Sequence, residues 1–198
     1  MTVNERVEAV VFDMDGLLID SETLAMESLM SAGAELGYDL PMEFCRKMIG
    51  VPADQCRELT AHAYGAEFPI SEFFDLHETH LHRLVETGRI ETKPGAAPLL
   101  EALERQAIPK AIATSSSRER AERHLRSAGI AERFDIVITR QDVTNGKPHP
   151  EPYVKATAAL GRGVENTLCP GGLDQRNTCR LRGRTPLHPH SRPSAADR

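Results

Sequence analysis

The chain has 198 residues, of which 40% are hydrophobic and 27% charged, and its formal net charge is -5. That length holds one domain, or one domain with a modest insertion. The acidic balance argues against a general nucleic-acid binder, and no apolar run is long enough to cross a bilayer.

Residues 8–15 read EAVVFDMD. The run Val10-Val11-Phe12 is continuous rather than alternating, as in the strands of parallel sheets, and Gly16 ends it. Over residues 21–36, Leu24, Ser28, Leu29, Ala32 and Leu36 fall near one face of a helix, with Gly37 as its stop. Residues 42–88 hold further helical patterns, such as 72–87, and no convincing strand. Lys93-Pro94-Gly95 marks a change of pattern. A helix over 96–106, a strand over 108–114, a helix over 118–127, a strand over 134–139 and a helix over 151–160 follow. Strands alternating with helices predict an α/β fold with a Rossmann-like, mostly parallel sheet. The all-α block is then an insertion after the first strand.

Asp13 and Asp15 stand two apart at the C-terminal end of the first predicted strand, where open parallel sheets bind their ligands. In an extended chain alternate residues share a face, so both carboxylates can reach one pocket if the strand runs on to Asp15. Two such charges need a cation or a proton between them, and Mg²⁺ suits carboxylate and phosphate oxygens. One carboxylate can attack phosphorus while the other handles the leaving-group proton. A bare D-x-D-G is more often a turn, and here the flanking strand and the later motifs outweigh that. Thr114-Ser115-Ser116 follows the second strand, where a hydroxyl and backbone N–H groups can hold phosphate oxygens. Taken alone, this stretch reads better as a helix cap, a role that Ser116 or Ser117 would serve. Lys147 follows the third strand in Gly146-Lys147-Pro148, and a lone lysine is usually a surface charge. Three strand ends offering carboxylates, a hydroxyl and a lysine are harder to dismiss.

VVFDMDGLLIDSE, AIATSSS and NGKPHPEPY resemble the first three motifs of the haloacid dehalogenase superfamily, in order and each after a strand. The nearest branch is that of the β-phosphoglucomutase-like enzymes and phosphatases with a helical cap. The resemblance covers residues 8–168. It implies a discontinuous core of 1–18 and 92–168 and a cap of 19–91 that closes over the substrate. It implies that Asp13 forms an aspartyl-phosphate, and that Asp15 protonates the leaving alcohol and then activates water. Mg²⁺ is implied at the Asp13 carboxylate and the Asp15 backbone carbonyl. Thr114, with Ser115, Ser116 and Gly16 around it, is implied to hold the phosphoryl group, and Lys147 to neutralise charge.

The family's mutases carry a Gly-Val-Ser-Arg-like cap loop whose arginine holds a second phosphate. The corresponding stretch here is Gly50-Val51-Pro52-Ala53-Asp54, with an acid where that arginine falls. Gly50 stays a candidate substrate contact, and Arg57 is a candidate substitute for the arginine. The expectation is a phosphatase of a small phosphorylated metabolite, with a phosphomutase or an inactive frameshifted fragment as alternatives. A dehalogenase fits worse, because those relatives lack an acid at the position of Asp15. The N-terminus has no signal-peptide layout, so a cytoplasmic location is expected. No nucleic-acid or membrane partner is expected, and the chain, if folded, is expected to be a monomer. The four cysteines, Cys45, Cys56, Cys169 and Cys179, have no CxxC spacing and read as reduced thiols without zinc.

The family's fourth motif, an acidic pair that completes the Mg²⁺ shell, does not follow Leu168. Residues 169–198 contain no Val, Ile, Phe, Tyr, Met, Glu or Lys and are rich in Arg and Pro. That composition predicts a non-native, disordered tail and a core incomplete at its C-terminus. Residues 171–176 can be encoded as GGA GGA CTC GAT CAA CGG, which one base later reads Glu-Asp-Ser-Ile-Asn-Gly. A one-base insertion or two-base loss near residues 166–168 is the hypothesis this supports. An independently confirmed, in-frame coding sequence for CPGGLDQ would sink it. Without the fourth motif the first strand is expected to have an unpaired edge, and Asp142 and Asp174 are the nearest replacement ligands, Asp142 the better one.

Overall fold

The computed structural model describes residues 7–51, 53–171 and 179–180. Its elements are β1 (Ala9–Phe12), α1 (Ser21–Glu35), α2 (Met42–Arg46), α3 (Ala53–Tyr64), α4 (Ile70–Glu86), α5 (Ala96–Arg105), β2 (Lys110–Ala113), α6 (Arg118–Ser127), β3 (Val137–Ile138), α7 (Glu151–Ala159), β4 (Thr167–Cys169) and β5 (Cys179–Arg180). The described strands lie in the order β3-β2-β1-β4-β5. β1 pairs in parallel with β2 and β4, and β2 with β3, while β5 runs antiparallel on β4. This is the Rossmann-like α/β architecture, with the helical segment α1–α4 inserted after β1.

β1 is buried on both faces, which is why its sequence is apolar throughout. Val10 and Phe12 join one cluster with Met14, Leu100, Ile112 and Leu125. Val11 joins the other with Ala111, Ala113, Ile138 and Tyr153. A third cluster, built on Leu29, Leu40, Cys45, Phe68 and Phe73, fills the helical segment. The two regions also share side chains, because Leu24, Leu81 and Val85 pack into the β1 cluster. Cys45 and Cys56 are buried thiols, and burial pushes Cys45 up to about 11, far from a reactive thiolate.

Three sequence expectations need correction. The first strand stops at Phe12 rather than reaching Asp15. The third is two residues long rather than six. Phe134 turns into the core, edge-on to Phe12 at 6.2 Å, and Thr139 caps a 3-10 turn at Arg140–Asp142. The edge of β1 is paired, not open. Thr167, Leu168 and Cys169 reach far enough to form β4 beside Ala9 and Val10 before the composition changes. The Glu8 N–H donates to the Asn166 carbonyl at 2.9 Å, and the Asp13 N–H to that of Pro170 at 3.4 Å. Residues 172–178 and 181–198, with Asp174 among them, lie outside the described residues, as does the side chain of Cys179. No helix among the described residues is long and apolar enough to cross a membrane.

Candidate active site

The loop leaving β1 is held by its own backbone. The Met14 carbonyl accepts from Leu18 and Ile19, and Gly16 donates to Ile19 at 3.0 Å. Gly16 has φ +72, a left-handed conformation that glycine adopts freely and other residues do not. The chain enters and leaves the helical segment side by side. Asp20 N–H bonds the Glu91 carbonyl, Lys93 N–H bonds that of Leu18, and Lys93 Nζ pairs with Asp20 Oδ1 at 2.9 Å.

Asp13 and Asp15 emerge from this loop into different surroundings. Asp13 Oδ1 accepts from the Met14 N–H at 2.8 Å and pairs with Lys147 Nζ at 2.7 Å. Burial pushes the Asp13 carboxyl up, Lys147 opposes it, and the nearby charge of Asp15 adds to the rise. Asp15 is gripped by hydroxyls: Ser21 at 2.7 Å on Oδ1, Ser116 at 2.9 Å and Thr114 at 3.4 Å on Oδ2. Burial raises the Asp15 carboxyl too, but His124, Ser21, the Arg120 charge and Ser116 outweigh it and hold it at about 2.

Thr114 ends β2 as a buried residue, and its Oγ1 also accepts from the Ser116 N–H at 3.0 Å. Ser117, not Ser116, caps α6 by accepting from the Arg120 N–H. Lys147 lies under the Tyr153 ring, 4.8 Å from its centre. Its loop is pinned by Glu151, which accepts from the Thr144 and Asn145 backbone N–H groups at 2.8 and 2.9 Å.

The structure therefore gathers Asp13, Asp15, Thr114, Ser116 and Lys147 from the ends of three strands. Ser115 is exposed at the end of β2, and Gly50 is exposed in the helical segment with open space where a Cβ would stand. Arg57 stacks over the Phe74 ring at 4.9 Å, so α4 already engages it. Asp142 is spent on Thr139 and on Arg118, whose guanidinium donates to it at 2.6 Å. The sequence reading missed Ser21, His124 and Glu151. Ser21 sits within the matched DSE run and was findable, whereas His124 becomes visible only once α6 lies against the loop.

For a divalent cation the donor chemistry fits but the donor set is short. Asp13 and the Asp15 carbonyl are hard oxygens of the kind Mg²⁺ takes alongside phosphate and water. No group of three or more His, Cys, Asp or Glu that could hold a metal occurs among the described residues. Where β4 ends beside Asp13, the chain offers Pro170 and Gly171. Gly171 stands so close that a Cβ would meet the Asp13 Cβ at 3.1 Å.

Comparison with known proteins identifies the family of the chain. The family model for haloacid dehalogenase-like hydrolases matches residues 10–171. The chain is 30% identical over 149 residues to a phosphorylated carbohydrates phosphatase of Thermotoga maritima, covering 75% of this chain and 68% of that one. It is 30% identical over 160 residues to an N-acetylmuramic acid 6-phosphate phosphatase of Pseudomonas aeruginosa, covering 79% and 69%. The crystal structure of a haloacid dehalogenase-family hydrolase from Deinococcus radiodurans, with bound phosphate and sodium, superposes with a TM-score of 0.72 at 30% identity, covering 84% and 72%. With its family model matched over most of its length and its strand-end residues gathered into one site, this chain belongs to the haloacid dehalogenase-like hydrolases.

Proposed function

We propose that this chain is a Mg²⁺-dependent phosphatase of a small phosphorylated metabolite of the sugar-phosphate type, acting through an aspartyl-phosphate on Asp13. By family it is a phosphoric monoester hydrolase. The observation that carries the finer reading is the split between the two carboxylates: Asp13 paired with Lys147, Asp15 held by hydroxyls.

In this reading an Asp13 oxygen attacks phosphorus, and the bond to the substrate's alcohol oxygen breaks. Lys147 offsets the charge gathering on Asp13 and the phosphoryl oxygens. Thr114 Oγ1 and the Ser116 N–H exchange their mutual bond for bonds to phosphoryl oxygens. Asp15 rests ionised; the arriving phosphate charge raises its affinity for a proton, which it takes up from solvent as substrate binds and then passes to the leaving oxygen. In the second half Asp15 takes a proton from water, whose oxygen attacks the aspartyl-phosphate and frees Asp13. Mg²⁺, held by Asp13 and the Asp15 carbonyl, would supply charge neutralisation at the phosphoryl oxygens. Residues 19–91 act as the cap over a core of 1–18 and 92–168. The first relatives' names support the substrate class, and Asp54 on the first turn of α3 supports hydrolysis over transfer between two phosphates.

The test is a panel of sugar phosphates with Mg²⁺, run on this chain and on Asp13→Asn. Phosphate release that falls by on the order of 10³-fold or more in the variant is expected for loss of a nucleophile. Release that survives the substitution would discard the covalent mechanism.

A further inference from the structure

Helix α6 buries Ala121, Leu125 and, between them, a histidine. His124 is 1% exposed, and its Nδ1 has no hydrogen-bond partner among the described residues. The acceptor it faces is Asp15 Oδ1 at 3.7 Å, within Coulomb range but about 0.5 Å beyond the long end of an ordinary hydrogen bond. An apolar side chain here would spare the chain an unsatisfied polar atom in its core. The other grips on Asp15 come from hydroxyls: Ser21 on Oδ1, Ser116 and Thr114 on Oδ2. Two of these, with the Ser116 N–H, are the groups a phosphoryl oxygen would draw away. His124 is different. It sits on a helix fastened to the cap side by the Ser127 hydroxyl, which donates to the Val85 carbonyl at 2.7 Å.

We infer that His124 is a positioning residue for Asp15: its Nδ1–H donates to the Asp15 carboxylate once substrate loosens the hydroxyl grips, and so aims Asp15 at the leaving oxygen. Nδ1 keeps its proton throughout, and the proton given to the leaving group is the one Asp15 takes up from solvent as substrate binds. This rests on the reading of Asp15 as the acid and base of a phosphatase.

Two substitutions in the full chain separate positioning from packing. His124→Leu fills the space without a donor, and His124→Asn keeps an N–H near the place of Nδ1. A sugar phosphate needs its leaving oxygen protonated, whereas p-nitrophenyl phosphate does not. His124→Leu is expected to lose at least about tenfold more kcat on the sugar phosphate than on the aryl ester, with KM little changed, and His124→Asn to recover much of it. Equal losses on both esters, or no recovery with asparagine, would overturn the inference. A second readout needs no turnover. Long-range ¹H–¹⁵N spectra of histidine-labelled protein should show the Nδ1–H tautomer and a changed signal in Asp15→Asn. A bare Nδ1, or a signal indifferent to that substitution, would also overturn it. A chain that hydrolyses neither ester sinks the phosphatase reading, and the spectra still decide the role of His124.

Discussion

Lys147 touches Asp13 Oδ1 at 2.7 Å and the Tyr153 ring at 4.8 Å, so its charge is directed by an acid on one side and an aromatic face on the other. Removing it leaves only the Met14 N–H to oppose the burial of Asp13. The sign follows directly: burial already raises the Asp13 carboxyl, Lys147 lowers it, and the Lys147→Met variant raises it further. We expect kcat to fall by about 10²–10³, with the acidic limb of the pH–rate profile moved to higher pH. Lys147→Arg should not restore it, because a planar fork cannot replace a point charge in a half-buried slot. Initial rates across the acidic limb check both statements. Asp13, Asp15 and Thr114 were legible in the sequence because each stands within three residues of a strand end, and Lys147, farther along the loop after β3, because of its Gly-Lys-Pro neighbours. Ser21 and His124 reach Asp15 through tertiary approach, and for His124 the separation is more than a hundred residues. No local pattern marks such a contact, and a buried histidine on a helix reads as an ordinary polar residue until its surroundings are known.

At the scale of elements, the pairing of α1 with α4 organises the helical segment. The Ser28 hydroxyl is fully buried, donates to the Ala25 carbonyl at 2.9 Å, and so accepts from His77 Nδ1 at 2.8 Å on α4. The helices themselves were readable from their apolar spacing. This polar tie was not, since serine and histidine interrupt that spacing without announcing each other. Burial is the main cause lowering His77 from 6.5 to about 4, with Arg120 and His80 adding to it and Glu78 opposing. A base whose folded-state value is depressed favours the folded chain when neutral. That stability is fully present above pH 6.5 and is lost as the pH falls towards 4, by up to about 3 kcal/mol. The His77→Gln variant should melt with a flatter pH dependence across that window than the parent chain. Thermal unfolding at a series of pH values measures it, and parallel slopes would assign the acid sensitivity to other groups. The short β3 shows the opposite failure of local reading. FDIVIT reads as a strand, yet only Val137–Ile138 joins the ladder and Phe134 packs edge-on to Phe12.

For the molecule as a whole, β4 changes what the departure after Leu168 costs. Because Thr167–Cys169 covers the edge of β1, the missing fourth motif does not leave the central strand bare. Its effect concentrates instead on the metal. Pro170 and Gly171 occupy the turn beside Asp13, and neither side chain can ligate a cation. Asp142 cannot substitute without giving up Thr139 and Arg118. The described residues then offer Mg²⁺ one carboxylate, on Asp13, which Lys147 already holds through one oxygen. A chain recoded after Pro170 to Glu-Asp-Ser-Ile-Asn-Gly would carry an acidic pair at this turn. We expect it to bind Mg²⁺ with a Kd at least about tenfold lower than the present chain, the order of loss seen even when a metal ligand's supporting partner is removed. Phosphate release by the two chains should differ most at low Mg²⁺ and converge as Mg²⁺ is raised, since excess cation compensates for weak binding by mass action. Calorimetric titration of both chains with MgCl₂, beside their sugar-phosphatase rates, tests this. Equal affinities would mean that the turn after β4 does not supply the metal site, and that Asp13 and Asp15 suffice with water and substrate oxygens.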